Sequence, residues 1–193
     1  MNKTKKYDAS SIEVLEGLEP VRRRPGMYIG GTDNTSMHHL FSEVIDNAMD
    51  EAVANFASFI EVKVENDNTI TVYDNGRGIP IDPHPSFPNK SALEVIMTTL
   101  HAGGKFSNKV YQTSGGLHGV GISVVNALSE FVDVEIYRDK KIYNQRFSKG
   151  HPTSKLKELK KKTNKKGTKI SFKPDPEIFG LDNYFNCKKL YNF

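Results

Sequence analysis

Residues able to do chemistry gather in three short segments of the 193-residue chain, and the first is Glu43-Val-Ile-Asp46-Asn47-Ala-Met-Asp50-Glu51. At 100° per residue, Glu43, Asp46, Asn47, Asp50 and Glu51 fall on one side of a helix. Phe41, Val44, Ile45, Ala48, Met49 and Ala52 fall on the other and are expected to face the core. A carboxylate one turn from an amide suits two tasks: deprotonating a water, and offering a neutral oxygen to a magnesium ion that takes few protein ligands. His39, four residues before Glu43, shares that face and is placed to hydrogen-bond it. The competing reading is a solvated acidic face. Against it, no Lys or Arg offsets the like charges at i,i+4 spacing, and Asn47 stands where helix propensity favours Lys, Gln or Glu. On the helix alone the two readings stand level.

The second segment is Asp74-Asn75-Gly76-Arg77-Gly78-Ile79-Pro80, at the end of an alternating apolar run. An acid before two glycines is ordinary turn chemistry. A buried carboxylate there would also accept a hydrogen bond from the exocyclic amine of adenine, with Gly78 admitting the ring and Ile79 and Pro80 packing on it. The third segment, Gly115-Gly116-Leu117-His118-Gly119-Val120-Gly121, has the glycine density of an anion nest ahead of a helix. A flexible turn would look the same. It is not a Walker A loop, because no Gly-Lys-Ser/Thr ends it, and no strand leads into it as in a dinucleotide fingerprint. A base with a metal ligand, an anchor for a base ring and a phosphate cradle are together what ATP hydrolysis requires.

The elements that must position these groups are legible in outline. Ser11–Arg24 reads as a short helix ended by Pro25-Gly26, and Thr35–Asn55 as a long amphipathic one. Phe59–Glu65 and Thr69–Asp74 alternate like a hairpin about Asn66-Asp67-Asn68. Pro80–Lys90, with four prolines, is expected to be irregular. Ser91–Ala102 and Gly119–Leu128 read as helices, Gly103–Gly116 as a glycine-bounded loop, and Phe131–Arg138, Lys141–Phe147 and Thr168–Lys173 as strands. Helices followed by successive hairpin strands imply an α+β fold, a two-layer sandwich with a mixed, mostly antiparallel sheet covered by helices on one face.

Composition excludes several classes. The chain is 37% hydrophobic and 26% charged, as in a soluble globular protein, and no apolar run approaches the ~20 residues of a membrane span. The polar N-terminus shows no secretory signal, and one cysteine, Cys187, excludes an intrachain disulfide and fits a reducing cytosol. The net charge of +4 hides an asymmetry: residues 149–193 hold 12 of the 27 Lys and Arg but only 4 of the 23 Asp and Glu. Most of that excess lies in 155–166. A solvated loop accounts for such a run without aromatic interleaving; a surface meeting nucleic-acid phosphates is the alternative. His84 and His151 sit beside prolines with no second ligand at metal spacing, and His101 and His118 lie by the glycine-rich loops, where a positional role is expected rather than acid–base work. Phe56, Phe59 and Phe131 are expected in the core.

The three segments resemble the N, G1 and G2 boxes of the GHKL (Bergerat) ATPases, the superfamily shared by type II topoisomerases, the Hsp90 chaperone, MutL and histidine kinases. The runs Pro20–Gly30, Leu100–Phe106 and Ser114–Leu128 are similar to one branch, the B subunits of bacterial type IIA topoisomerases. The run from Asp82 to Glu94 looks more like its topoisomerase IV members than like DNA gyrase. The likeness runs from about Tyr7 to Phe179; residues 1–20 would be an N-terminal arm, 21–180 the ATP-binding domain and 181–193 a divergent tail.

What the resemblance implies follows residue by residue. Glu43, assisted by His39, matches the catalytic base, and Asn47 the Mg2+ ligand. Asp74 matches the adenine contact, with Thr168 beside it and Gly78 and Ile79 under the ring. Gly103, Gly104 and Lys105 match the ATP lid, with Tyr111 near the ribose. Gly116, Leu117, His118, Gly119, Val120, Gly121 and Ile122 match the phosphate loop. Arg77, Pro80 and Arg138 match the rim that aminocoumarin inhibitors use. Tyr7 and Ile12 match an arm that crosses to a second copy when ATP closes a gate. The implied cofactors are ATP and Mg2+, and the implied partners of a whole protein are a second copy, a topoisomerase A-type subunit and DNA, in the bacterial cytoplasm. The family's second domain, which sends a lysine to the γ-phosphate, and its metal-binding domain are not in this sequence, so weak turnover by the fragment is expected. The rival functions are a non-catalytic nucleotide-binding remnant and a histidine kinase domain, which needs no water-activating base.

Overall fold

A computed structural model describes Ala9 and residues 13–102 and 121–191. Its elements are α1 (Glu19–Arg23), α2 (Gly26–Ile29), α3 (Asn34–Val53), β1 (Ile60–Val64), β2 (Ile70–Asp74), β3 (Pro83–His84), β4 (Phe87–Ser91), α4 (Ala92–Thr98), α5 (Ile122–Ala127), β5 (Ser129–Arg138), β6 (Lys141–Ser148), β7 (His151–Pro152), β8 (Lys157–Leu159), β9 (Gly167–Pro174), α6 (Pro176–Phe179) and α7 (Cys187–Leu190). Seven strands form one sheet in the order β1-β2-β9-β5-β6-β7, with β8 also pairing with β6, and β3 and β4 form a small hairpin. Every described pairing is antiparallel, so the expected sandwich is realised at its antiparallel extreme.

Residue alternation explains the two faces. Ile70, Val72, Val132, Val134, Ile136, Ile170 and Phe172 point into one buried layer beneath Leu40, Val44, Leu93, Met97, Val124 and Val125 of the helices. The opposite face carries polar ladders such as Thr71 Oγ1 to Ser171 Oγ at 2.8 Å and Lys169 to Glu135 at 2.9 Å. Helix α3 begins where Asp33 accepts the Ser36 amide hydrogen at 2.8 Å, and no glycine or proline interrupts its 20 residues. Helix α4 has the same device: Ser91 accepts from Glu94 N at 3.1 Å.

Several expectations are corrected. The first helix starts at Glu19, not Ser11, because Gly17 adopts φ +58 and breaks it. The helix does end before Pro25, which then N-caps α2. The proline-rich 80–90 region does pair, as β3–β4, because a two-stranded hairpin has only edge positions, where proline is tolerated. The basic 155–166 run is no free loop: β8 adds a strand beside Ile142, Tyr143 and Asn144. On α3, Met49 is 47% exposed and Asp50 is buried, since the inward stripe narrows to Phe41, Val44 and Ala48 over β2. Phe56 and Phe59 are exposed, with the Arg77 guanidinium 3.7 Å from the Phe56 ring centre. Phe131 is half-buried under Arg146.

Residues 181–191 form a strap rather than a loose end. Phe185 is buried edge-on against His38 and Phe172, and its amide donates to Asn68 Oδ1 at 2.9 Å. His38 holds the strap from beneath, its Nδ1 donating to Asn34 O and its Nε2 accepting from Asn186 N at 3.0 Å.

Candidate functional site

The site lies at one end of the sheet, where β2 finishes, β9 begins and the acidic face of α3 passes above. Glu43 and Asn47 sit one turn apart, both half-buried. Asn47 Nδ2 donates back to the Glu43 carbonyl at 2.6 Å, which fixes the amide and leaves Oδ1 as its outward oxygen. Glu43 Oε2 accepts from Gly121 N at 3.1 Å. The proposed base is thereby joined to Gly121, the last glycine of the third segment, across 78 positions of sequence. Gly121 takes φ +73 and caps α5, whose first residue is Ile122.

Asp74 ends β2 opposite Thr168 of β9 and is 6% exposed. Its Oδ1 accepts from Gly76 N at 2.8 Å, so a carboxylate with four lone-pair directions retains capacity for a further donor. Burial pushes its pKa up to about 6; the Gly76 amide opposes that shift, and the charge of Glu51 adds to it. Two glycines make the enclosure possible. Gly167 (φ +108) runs so close under β2 that a Cβ would lie 1.9 Å from Asp74 O, and a Cβ on Gly78 would meet Gly167 O and Ile136 at 3.2 Å. Thr168 Oγ1 accepts from Ile79 N at 3.2 Å, tying the turn to β9.

The rim residues divide. Arg77 is clamped by Glu51 through Nη2 to Oε1 at 2.6 Å and by its own amide to Oε2 at 2.9 Å. Arg138 reaches Gly78 O at a long 3.5 Å, and Pro80 is exposed nearby in sequence. The structure thus brings Glu43, Asn47, Gly121 and Ile122 into one group, and Asp74, Gly78, Ile79, Thr168, Arg77 and Arg138 into another at the same end of the fold. His39 is half-buried one turn before Glu43. Tyr7, Ile12, Gly103, Gly104, Lys105, Tyr111, Gly116, Leu117, His118, Gly119 and Val120 lie outside the described residues. Sequence reading missed Glu51 as the partner of Arg77, and Gly167 as the residue that lets β9 close over Asp74. A glycine directly before Thr168 was the available signal for the second.

An antiparallel sheet with helices on one face, a buried carboxylate at a strand end and an acid–amide pair on the covering helix defines a class of nucleotide-binding ATPase folds. The chain belongs to the family of histidine kinase-, DNA gyrase B-, and HSP90-like ATPases, which matches residues 32–178. The B subunit of DNA topoisomerase 4 from Rickettsia felis is 64% identical over 187 residues, covering 96% of this chain and 28% of that protein. The B subunit of DNA gyrase from Thermotoga maritima is 57% identical over 174 residues, covering 90% of this chain and 27% of that protein. The crystal structure of the 43K ATPase domain of Thermus thermophilus gyrase B in complex with an aminocoumarin matches with a TM-score of 0.78 and 46% identity, over 91% of this chain and 43% of that one. The chain therefore spans about 28% of the length of the topoisomerase relatives.

Proposed function

We propose that this chain is the ATP-binding and hydrolysing part of a type II DNA topoisomerase B subunit, nearer to topoisomerase IV than to gyrase. In the whole protein, ATP-driven pairing of two copies through the N-terminal arm would power strand passage through DNA, together with an A-type subunit in the bacterial cytoplasm. Among the described residues no helix is long and apolar enough to cross a membrane. The observation that carries the reading is the Glu43–Gly121 hydrogen bond, which sets a candidate base against the exit of a candidate phosphate loop.

Each residue has a task in this reading. Asp74 accepts the adenine amine from its buried position, which favours adenine over guanine, while Gly78 and Ile79 floor the ring. Glu43 orients the attacking water and takes its proton. Little covalent work falls to the protein in phosphoryl transfer, so orientation supplies most of the effect. Asn47 Oδ1 is the hard oxygen that would hold Mg2+, consistent with a site needing few protein ligands. Bound there, the ion would neutralise charge on the phosphates.

Titration calorimetry with a non-hydrolysable ATP analogue, with and without Mg2+ and beside the GTP counterpart, tests the pocket. Binding of ATP and not GTP is expected. Phosphate release by Glu43→Gln should fall about 10²–10³-fold with analogue affinity unchanged. Equal rates in wild type and variant would remove Glu43 from the role of base and leave a nucleotide-binding module.

A further inference from the structure

The open face of the sheet is charge-balanced almost everywhere: Lys169 pairs with Glu135, Lys173 with Glu130 and Lys63 with Glu61. One strip is not. Residues 155–166 hold seven lysines and a single acid, Glu158, which is engaged by Lys141 at 2.9 Å. Among the described residues, Lys155, Lys157, Lys160, Lys161, Lys162 and Lys166 make no ion pair, and all are exposed.

The strip is held in place. Strand β8 pairs through Lys157 and Leu159 with Asn144 and Ile142. Thr163 N then donates to Lys140 O at 3.1 Å, which seats Lys160–Lys162 beside the β5–β6 hairpin tip and its Lys140 and Lys141. The chain next crosses to β2, where Tyr73 Oη donates to Lys166 O at 2.9 Å and Lys165 stands over the Tyr73 ring. From β8 to β2 the path spans four strand spacings, about 19 Å. A DNA duplex presents roughly eleven phosphate charges over that length.

We infer that this lysine strip is a docking surface for the phosphate backbone of duplex DNA, read without regard to base sequence; the choice of DNA rests on the function proposed above. No aromatic residue occurs in 155–166, so there is no platform for unstacked bases, which disfavours single strands. No large exposed apolar side chain lies in the strip, which disfavours insertion into a lipid surface. Strongly hydrated lysines, depleted from protein interfaces, suit a wet phosphate contact better than an acidic protein.

Fluorescence anisotropy of a labelled duplex with the whole chain, without nucleotide, between about 50 and 200 mM salt tests this. The triple variant Lys160→Ala, Lys161→Ala, Lys162→Ala should weaken binding at least ~10-fold at low salt and lower the salt slope by about 2–3. Lys188→Ala with Lys189→Ala, on α7, should change neither. ATP-analogue affinity measured on the same triple variant should be unchanged, which shows the fold intact and separates this inference from the nucleotide reading. An unaltered slope overturns the proposal. So does displacement of the duplex, charge for charge, by poly-glutamate or by phosphatidylserine vesicles, which would assign the strip to an acidic protein or a lipid surface.

Discussion

Two buried carboxylates, Asp74 and Asp175, stand at different ends of the fold and are treated in opposite ways. Asp175 is 1% exposed, and every demand it makes is met. Its Oδ2 takes the Arg22 guanidinium at 2.7 Å with Lys149 at 3.6 Å, and its Oδ1 caps α6 through Glu177 N at 3.0 Å. Arg22 also donates to Ala127 O at 2.7 Å, so the group ties α1, α5 and α6 together. Asp74 is nearly as buried, but no described cation pairs with it; its nearest influential charge is the carboxylate of Glu51. A satisfied carboxylate is a brace. One buried beside another acid is a group held ready for a donor the fold does not supply, and such arrangements mark sites.

Removing the brace should have the largest effect. Asp175→Ala strips a half-buried arginine of its partner and α6 of its cap, and should cost roughly 3 kcal/mol of stability. Chemical denaturation would read this as a lower midpoint with unchanged slope. ATP-analogue affinity measured well below the new midpoint should hold. If affinity collapsed along with stability, the two ends would not be separable and the comparison would fail.

Asp74→Asn should do the reverse. With a folded pKa of about 6 against an ordinary value of 3.8, the folded protein holds the proton more tightly than the unfolded chain. The stability this contributes is full below pH ~4 and lost as pH rises through about 6. At neutral pH the ionised group therefore costs roughly 2–3 kcal/mol. The asparagine should raise the denaturation midpoint at pH 7 and flatten its dependence between about pH 4 and 7. It should also weaken ATP-analogue binding about 100-fold, because Gly76 N claims the one amide oxygen and leaves Nδ2, a donor, facing the adenine amine where an acceptor is needed. In the wild type, affinity should fall as pH drops below about 6, where the carboxylate is lost. A variant that is less stable at neutral pH would contradict the reading of Asp74 as uncompensated.

Much of this was legible in the chain, and the rest was hidden for physical reasons. The spacing of Glu43 and Asn47 and the alternation ending at Asp74 are local signals, as are the Asp67-Asn68 turn and the β5–β6 hairpin. Contacts of long sequence separation were invisible: Glu51 with Arg77, Asp74 under Gly167, and Asp175 with Arg22. Short elements decided by pairing were misread too. Lys157-Glu158-Leu159 has no strand-like alternation and becomes a strand only because β6 presents a free edge. The strap at 181–191 looks polar, yet it packs because Phe185 finds a slot between His38 and Phe172.

The smallest expected effect lies on the Arg77–Glu51 pair, whose acid is the charge that acts on Asp74. Arg77 is 38% exposed, so its ion pair and its stacking on Phe56 are each worth under about 1 kcal/mol, and Arg77→Ala should barely move the denaturation midpoint. Its electrostatic consequence is more specific. Glu51 already raises the pKa of Asp74, and the Arg77 guanidinium neutralises part of that charge. Without the guanidinium the Asp74 carboxyl should titrate higher, and the pH below which ATP-analogue affinity falls should move up. Glu51→Gln should move it down, because the raising charge itself is gone. The two variants break one contact, so a purely structural role for the pair would shift both pH profiles alike. Opposite shifts would show that the uncompensated charge of Asp74, rather than the shape of its pocket, sets the pH limit of the site.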